Sequence, residues 1–410
     1  MARVHVIGAG LAGLSAAVEL ADSFEVALYE AAPQAGGRCR SYFDATLGMT
    51  IDNGNHLLLS GNSAALDYAK KTGGFDKLSI AREAVFDFCD LERNTRARLR
   101  PNAGRVPWWI LAPDRRLPDT AGLDYIALAK LLLAKPGQTL RPFLGAGEMA
   151  RRLWDPIFVS ALNTAPEEAS ATLAATIVRE TFAKGGEACR PVVAVAGLSA
   201  AFVDPALDFL RVRGAQLSFG AKLRGFCFEG GRVSALDLGG EIFSLGADDK
   251  VVLAVTSPVA TEILPGLSAP NEFRSIVNAH FALPAPADMP LLTGVIGGWS
   301  EWVFAFPDRL SVTISAAERF LATPREELAA HIWDEVQRVA GVSAPLPAWQ
   351  IIKEKRATFA ATPAQDALRP GAETRWSNLF LAGDWTQTGL PSTIEGAIRS
   401  GLAAARLALV

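Results

Sequence analysis

The chain has 410 residues, enough for two or three domains. Hydrophobic residues make up 50% and charged residues 20%, which excludes a disordered chain, a collagen and a small disulfide scaffold. The formal net charge of -3 argues against a nucleic-acid-binding protein. The apolar composition favours a protein that handles a hydrophobic ligand.

Cysteine, histidine and hydropathy patterns give three further expectations. The four cysteines are far apart and form no Cys-x-x-Cys pair, which fits a reducing cytoplasm rather than a disulfide framework. The histidines do not cluster, so no metal site is expected. The longest uncharged run, residues 4–18, is shorter than the roughly 20 apolar residues that a spanning helix needs.

A dinucleotide-binding fingerprint lies at the N-terminus. Residues 3–7 predict a buried strand, the next six residues have the pattern G-x-G-x-x-G, and a helix and a second strand ending in Glu30 follow. In this context Gly8 permits a tight turn, Gly10 lets the backbone approach a pyrophosphate, and Gly13 lets the helix pack on the strand. Glu30 is placed to accept hydrogen bonds from ribose hydroxyls. The pattern therefore predicts a dinucleotide site.

The tripeptide Gly36-Gly37-Arg38 follows the ribose acid. It is not typical of nicotinamide dehydrogenases, and it resembles the FAD family that contains amine oxidases, protoporphyrinogen oxidase and carotenoid desaturases. The resemblance implies that Arg38 lies against the phosphates of FAD, where a guanidinium can bind two oxygens at once.

A second cofactor block lies near the C-terminus. Residues 378–384 predict a buried strand that ends in Gly383-Asp384, and a helix begins after a loop, at Thr393-Ile394. In the same FAD family this Gly-Asp pair closes the flavin site, with the aspartate near the ribityl chain. The N-terminal amides of the following helix face the flavin ring, where they can stabilise negative charge.

Two residues between these blocks have alternative interpretations. His56 follows Asn53-Gly54-Asn55, where related folds bring the chain under the flavin, and it either protonates a leaving hydroxyl or only positions the cofactor. Leu223 either meets the adenine through its backbone or is plain core. The predicted cofactor-binding residues are Gly8, Ala9, Gly10, Ala12, Gly13, Glu30, Ala31, Gly36, Gly37, Arg38, Asn53, Gly54, Asn55, Leu223, Gly383, Asp384, Thr393 and Ile394.

The expected fold is α/β, with a Rossmann-like FAD-binding domain and a mixed α+β substrate domain of the amine oxidase and phytoene desaturase type. The FAD-binding domain is predicted to be discontinuous, with residues 1–60, 200–268 and 356–410. The substrate domain takes residues 61–199 and 269–355.

The middle of the chain has an unusual surface. Arg96, Arg98 and Arg100 alternate along a strand and share one side, and residues 123–135 predict one helix that is apolar around most of its circumference. The helix either lies on a membrane surface or is buried in the substrate domain.

Further blocks narrow the resemblance: Asp52-Asn53-Gly54-Asn55-His56, Leu153-Trp154-Asp155-Pro156, Arg356-Ala357-Thr358-Phe359, and the run from Gly389 to Gly396. Together they resemble the bacterial hydroxysqualene dehydroxylases, also described as squalene-associated FAD-dependent desaturases, over nearly the whole chain. Departures from the family pattern at Asn55 and at Lys353-Glu354-Lys355 are expected not to touch the chemistry.

The resemblance implies replacement of the allylic hydroxyl of hydroxysqualene by hydrogen, giving squalene for squalene or hopanoid biosynthesis. It also implies a cytoplasmic protein with peripheral contact at the inner face of the cytoplasmic membrane, and it leaves the electron donor open. An oxidative carotenoid-type desaturase or an amine oxidase shares the motifs and runs the flavin in the other direction. A prenyl-lipid carrier of the GDP-dissociation-inhibitor type is the non-redox alternative, and retention of Gly37-Arg38 and Gly383-Asp384 argues against it.

Overall fold

The computed structural model describes residues 2–410. The strands are β1 (Arg3–Ile7), β2 (Glu25–Glu30), β3 (Ser41–Asp44), β4 (Met49–Asp52), β5 (Leu58–Leu59), β6 (Leu78–Ile80), β7 (Phe86–Asp90), β8 (Thr95–Leu99), β9 (Pro191–Ala194), β10 (Gln216–Phe219), β11 (Leu223–Glu229), β12 (Arg232–Leu238), β13 (Glu241–Ser244), β14 (Lys250–Leu253), β15 (Phe273–Phe281), β16 (Leu292–Ile296), β17 (Trp302–Ala305), β18 (Leu310–Ile314), β19 (Trp349–Phe359) and β20 (Leu379–Leu381). The α-helices are α1 (Leu11–Leu20), α2 (Ser63–Thr72), α3 (Ala127–Leu131), α4 (Arg141–Leu144), α5 (Asp155–Leu162), α6 (Ala171–Glu180), α7 (Asp204–Val212), α8 (Ser257–Ile263), α9 (Arg325–Ala340), α10 (Pro363–Ala367) and α11 (Ile394–Ala408).

A parallel sheet in the order β10-β2-β1-β14-β20 forms the cofactor half. The middle of this sheet is buried on both faces, so its central strands are short runs of Val, Ile, Leu and Ala rather than alternating patterns. Helices α1 and α11 pack together on it so closely that a Cβ added at Gly401 would overlap the carbonyl oxygen of Ala12. The two ends of the chain therefore share one layer, and their motifs meet at the carboxyl edge of the sheet.

The substrate half is built on a seven-stranded mixed sheet in the order β19-β15-β18-β17-β16-β7-β8. Helix α9 covers its outer face with residues spaced three and four apart, including Leu328, Ile332 and Val336, all of which are buried. Helices α5 and α6 pack into the cluster on the opposite side of the sheet. The predicted combination of a Rossmann-like domain and a mixed second domain is confirmed.

Three of the predicted domain boundaries differ from the packing. Helix α2 and strand β9 pack into the core of the cofactor half, so that half reaches beyond residue 60 and takes up the chain again before residue 200. Strand β19 pairs with β15 in the substrate sheet and runs through the predicted boundary at residue 356 without a break. The cause is nonlocal pairing, which a composition change along the chain does not reveal.

The prediction of one helix over residues 123–135 is wrong. A 3-10 turn over Gly122–Ile126 precedes α3, and α3 ends at Leu131, ahead of the helix-breaking pair Pro136-Gly137. Tyr125 stacks edge-on between Trp109 and Trp154, and its hydroxyl accepts a hydrogen bond from the amide of Leu117. This packing of Tyr125 overrides the local helical preference. In residues 2–410 no helix has the length and hydropathy of a membrane span.

Candidate cofactor and substrate site

A cavity of about 710 Å³ lies between the two halves, and both ends of the chain line it. Gly10 of the N-terminal fingerprint and Asp384 of the C-terminal block lie on its wall together. The other predicted site residues on the wall are Gly8, Ala12, Glu30, Ala31, Gly36, Gly37, Arg38, Asn53, Gly54, Asn55, His56, Leu223, Gly383, Thr393 and Ile394. Two stretches separated by more than 300 residues in sequence thus form a single site.

Each of the three fingerprint glycines occupies the kind of position that the pattern predicts. Gly8 has a φ of +106°, and a Cβ there would lie 2.5 Å from the carbonyl oxygen of Ala254, so only glycine fits the turn. A Cβ on Gly13 would overlap the carbonyl oxygen of Gly8, which confirms the close packing of helix on strand. At Gly10 a Cβ would meet no atom within 4 Å and would project into open space. That space, in front of the N-terminus of α1, is the cradle that an anion needs.

Ala9 lies next to the cavity wall and contacts Glu30 and Gly36. Its amide donates to a carboxylate oxygen of Glu30 at 2.7 Å, and its carbonyl accepts from the amide of Gly36 at 2.8 Å. The second carboxylate oxygen of Glu30 accepts from the amide of Ala32 at 2.8 Å. Ala9 therefore fixes the orientation of Glu30, which keeps lone pairs for a ribose hydroxyl.

Arg38 lies on the cavity wall, and its guanidinium is held by other parts of the protein. Its Nη2 donates to Asp384 at 2.6 Å, and its Nη1 donates to the carbonyl oxygen of Ala357 at 2.6 Å. Asp384 also accepts a short hydrogen bond from the hydroxyl of Ser392. Burial by itself would raise the pKa of Asp384, but the Arg38 guanidinium and these hydrogen bonds hold it below its usual range. The ion pair ties the N-terminal motif to the C-terminal motif across the cavity.

Helix α11 begins at Ile394, as predicted, with Thr393 as its N-cap. The Thr393 hydroxyl accepts from the amide of Gly396 at 3.0 Å, which leaves the amides of Ile394 and Glu395 unpaired at the cavity wall. Unpaired amides at a helix N-terminus attract negative charge.

His56 lies on the cavity wall with its Nδ1 2.9 Å from the carbonyl oxygen of Gly54. A carbonyl only accepts, so Nδ1 carries the hydrogen and Nε2 carries the lone pair of the neutral ring. Burial lowers the pKa of His56 below its usual 6.5, which keeps the ring neutral at neutral pH. This geometry favours the positioning alternative over the predicted acid.

The substrate half contributes wall residues that the sequence did not single out. Asn278, Thr313 and Ser315 form a polar strip, and Asn55 reaches it through an amide hydrogen bond of 3.3 Å to the Thr313 hydroxyl. The Oδ1 atom of Asn55 is buried without a partner in the described chain. The aromatic and aliphatic part of the wall comprises Leu57, Phe86, Ile157, Ile177, Phe182, Val259, Ile263, Trp302 and Phe304.

The expectation that Asn55 and the segment 353–355 stay away from the chemistry is wrong in position, because Asn55 and Glu354 both lie on the cavity wall. No local pattern in the sequence singled out Glu354, because residues 350–356 of β19 do not alternate between apolar and polar side chains; its place follows from the pairing of β19 with β15. In residues 2–410 no group of three or more His, Cys, Asp or Glu side chains is arranged to hold a metal ion.

Comparison with known proteins identifies the family to which a chain with this site belongs. The sequence family described as "Flavin containing amine oxidoreductase" matches residues 11–409. The hydroxysqualene dehydroxylase of Rhodopseudomonas palustris is 54% identical over 99% of this chain and 98% of its own length. That of Sinorhizobium fredii is 50% identical over 99% of this chain and 98% of its own length.

The chain belongs to the hydroxysqualene dehydroxylases, within the flavin-containing amine oxidoreductases. Solved structures extend the fold of this family to distant proteins. A putrescine oxidase matches 100% of the chain, with 99% of its own chain covered, at a TM-score of 0.72 and 16% identity. An oxidoreductase from Methanosarcina mazei matches 98% of the chain, with 100% of its own chain covered, at a TM-score of 0.72 and 16% identity.

The residues of this hydroxysqualene dehydroxylase family member fit FAD. There is open space at Gly10, in front of the N-terminus of α1. The free amides of Ile394 and Glu395 face the same cavity. The Glu30 carboxylate, which a backbone amide holds in place, also lies on the cavity wall. These features suit, in turn, a pyrophosphate, an electron-accepting ring and a ribose. The chain is an FAD-dependent oxidoreductase, as predicted.

Proposed function

We propose that the protein catalyses the reductive dehydroxylation of hydroxysqualene to squalene with FAD. The observation that carries this proposal is a single cavity that contains both the dinucleotide cradle and the aromatic and aliphatic part of the wall described above, here called the apolar arm. The chain is also 54% identical to a hydroxysqualene dehydroxylase over 99% of its length. Reduced FAD supplies a hydride. The protein has to bind the isoprenoid chain, hold the carbon that bears the hydroxyl, supply a proton and exclude water.

The wall of the cavity suits these tasks. Aromatic and aliphatic side chains such as Trp302, Phe304 and Phe86 bury a hydrocarbon, while Thr313 and Asn278 offer hydrogen bonds to a hydroxyl. The oxidative alternatives need no such leaving hydroxyl and no proton donor for it.

Anaerobic incubation tests the proposal. Protein reduced with dithionite is mixed with hydroxysqualene, and the extracted lipids are separated by gas chromatography and mass spectrometry. Stoichiometric squalene with re-oxidation of the flavin absorbance is expected. Squalene absent from the reduced protein, together with desaturation of a carotenoid or oxidation of an amine by the oxidised protein, would overturn it. Purified protein without flavin absorbance would instead favour the carrier.

We also propose that the protein is cytoplasmic and docks on the inner face of the cytoplasmic membrane through its segment 105–135. Large hydrophobic side chains are exposed there, namely Val106, Trp108, Leu111, Leu123, Ile126 and Leu133. Basic side chains accompany them, and Arg115 lies over the Trp108 ring at 4.8 Å. Aromatic and aliphatic residues mixed with Arg and Lys are typical of an interfacial membrane contact.

The position of this segment supports docking at the entrance for a lipid substrate. Arg179 on α6 donates to the carbonyl oxygen of Leu132 at 3.1 Å, and Ile177 on the same helix lines the cavity. Helix α6 therefore contacts both this segment and the cavity. The arginines of β8 are not part of this surface, because Arg98 binds Asp87 and Arg96 binds the carbonyl oxygen of Val339.

Sedimentation with liposomes that contain anionic lipid tests the docking. The protein is expected in the pellet at low salt and partly in the supernatant at high salt, since basic residues contribute. A protein that stays in the supernatant at low salt would refute the membrane contact while leaving the enzymatic proposal intact.

A further inference from the structure

The reaction proposed above needs a proton donor, because hydroxide is a poor leaving group. The donor has to lie on the cavity wall, and its proton must not already be committed to another group. His56 does not suit the task. The hydrogen of its neutral ring is on Nδ1 and is already bonded to the Gly54 carbonyl oxygen, so Nε2 carries a lone pair and no proton. Burial raises the pKa of the Cys39 thiol to about 12, which makes it a poor acid.

The carboxyl groups on the cavity wall are Glu30, Glu180, Glu354, Asp384 and Glu395. Four of them are held by strong partners. Glu30 accepts two backbone amides, and Asp384 is paired with Arg38 and Ser392. Glu180 accepts from Lys184 and Arg399, and Glu395 accepts from Arg399 and from the amides of Ala64 and Ala65.

Glu354 differs from these four. It forms no ion pair within hydrogen-bonding range among the described residues, and its hydrogen bonds, from the amide side chain of Asn53 and the backbone amide of Arg356, are both long at 3.4 Å. It is half-buried, so the group is partly shielded from water and remains open to the cavity.

The position of Glu354 matches the place where the reaction has to occur. It lies on β19 opposite Ile276 of β15, another wall residue, and three residues before Ala357, whose carbonyl binds Arg38. This is the junction between the FAD cradle and the apolar arm.

We propose that Glu354 is the catalytic acid that protonates the substrate hydroxyl. The inference rests on the proposed function. The proton moves from the carboxyl oxygen to the hydroxyl oxygen, the C–O bond breaks with its electron pair on oxygen, and water leaves. Reduced FAD, when bound, would supply the hydride that the allylic carbon needs, and the Glu354 carboxylate regains a proton from solvent.

The test compares the holoenzyme with its variants Glu354→Gln, Glu354→Asp and Lys355→Gln in single turnovers of reduced protein with hydroxysqualene. Lys355 is the exposed neighbour on β19 and serves as the matched control. Glu354→Gln is expected to keep its flavin content and spectrum and to lose at least about 100-fold in squalene formation. Glu354→Asp is expected to recover part of the rate, and Lys355→Gln to match the wild type.

A pH profile separates an acid from a structural residue. The wild-type rate is expected to fall as the pH rises, while the residual rate of Glu354→Gln is expected to depend much less on pH. If Glu354→Gln loses its flavin, the Glu354→Asp variant is used instead. A rate of squalene formation by Glu354→Asp that does not depend on pH would overturn the proposal that Glu354 is the catalytic acid. A Glu354→Gln rate within about threefold of the wild-type rate would show that Glu354 is not the catalytic acid, and it would leave the proposed function intact. A wild type that forms no squalene overturns the proposed function, and the acid with it.

Discussion

The two ends of the cavity are built in different ways. At the cofactor end the ligand-facing groups are backbone amides and carboxylates that are already held, as Glu30 is by Ala9 and Ala32 and Asp384 is by Arg38. At the substrate end, Glu354 has only long hydrogen bonds and the Oδ1 atom of Asn55 has no partner among residues 2–410. A cofactor that stays bound is served by preorganised groups, whereas a leaving hydroxyl needs groups that are free to bind it and to transfer a proton.

The largest expected effect tests how rigid the cofactor end is. Gly13→Ala is expected to destabilise the fold by about 3 kcal/mol or more, because the new methyl group overlaps the Gly8 carbonyl and neither backbone can move away. Urea unfolding measures this change. Gly10→Ala is the matched variant, and it should fold normally and lose flavin, since its methyl group enters only the cradle. Equal stability for the two variants would contradict the packing argument.

The Arg38–Asp384 pair tests the link between the two ends of the chain. Arg38→Ala is expected to lower the free energy of unfolding by about 2–3 kcal/mol and to weaken flavin retention, because it leaves the buried Asp384 carboxylate unpaired. Asp384→Asn in the same chain should recover part of the stability, as expected for coupled residues. A double variant as unstable as the sum of the single variants would show that the pair is not coupled.

The dependence of stability on pH tests a buried histidine of the substrate half. Burial lowers the pKa of His280 on β15 from 6.5 to about 3, so the unfolded chain binds a proton there over a range in which the folded chain does not. The contribution of His280 is complete above pH 6.5 and is lost as the pH falls toward 3, with a slope of up to about 1.4 kcal/mol per pH unit.

Chemical unfolding between these pH values measures the slope. His280→Gln should flatten it. An unchanged slope in the His280 variant would assign the acid sensitivity to other groups.

The smallest stability effect is expected on the exposed surface. Leu111→Ser with Leu123→Ser should change the free energy of unfolding by no more than about 0.5 kcal/mol per site, because both side chains are already in water. Liposome binding should decrease clearly. Leu128→Ser, at a buried position in the same segment, should instead be strongly destabilising. Unchanged liposome binding in the double variant would place the membrane contact elsewhere.

Much of the cofactor end could be predicted from sequence, and less of the substrate end. Local patterns located the fingerprint glycines, Glu30 and the start of α11, since each depends on neighbouring residues. They did not reveal that Arg38 binds Asp384, or that the amide of Ala9 donates to Glu30. The predicted helix over 123–135 failed because Tyr125 is held by two tryptophans from distant segments.

The sequence by itself determined the dinucleotide cradle, the FAD-binding class and the family, because glycines at fixed spacing and helix starts are properties of short stretches of chain. Only the tertiary structure decided that Glu354 lies on the cavity wall and that the hydrophobic side chains of segment 105–135 stay exposed. The physical reason is that burial and hydrogen-bond satisfaction depend on which distant segments pack against a residue. Which groups surround Glu354 is therefore decided by the fold.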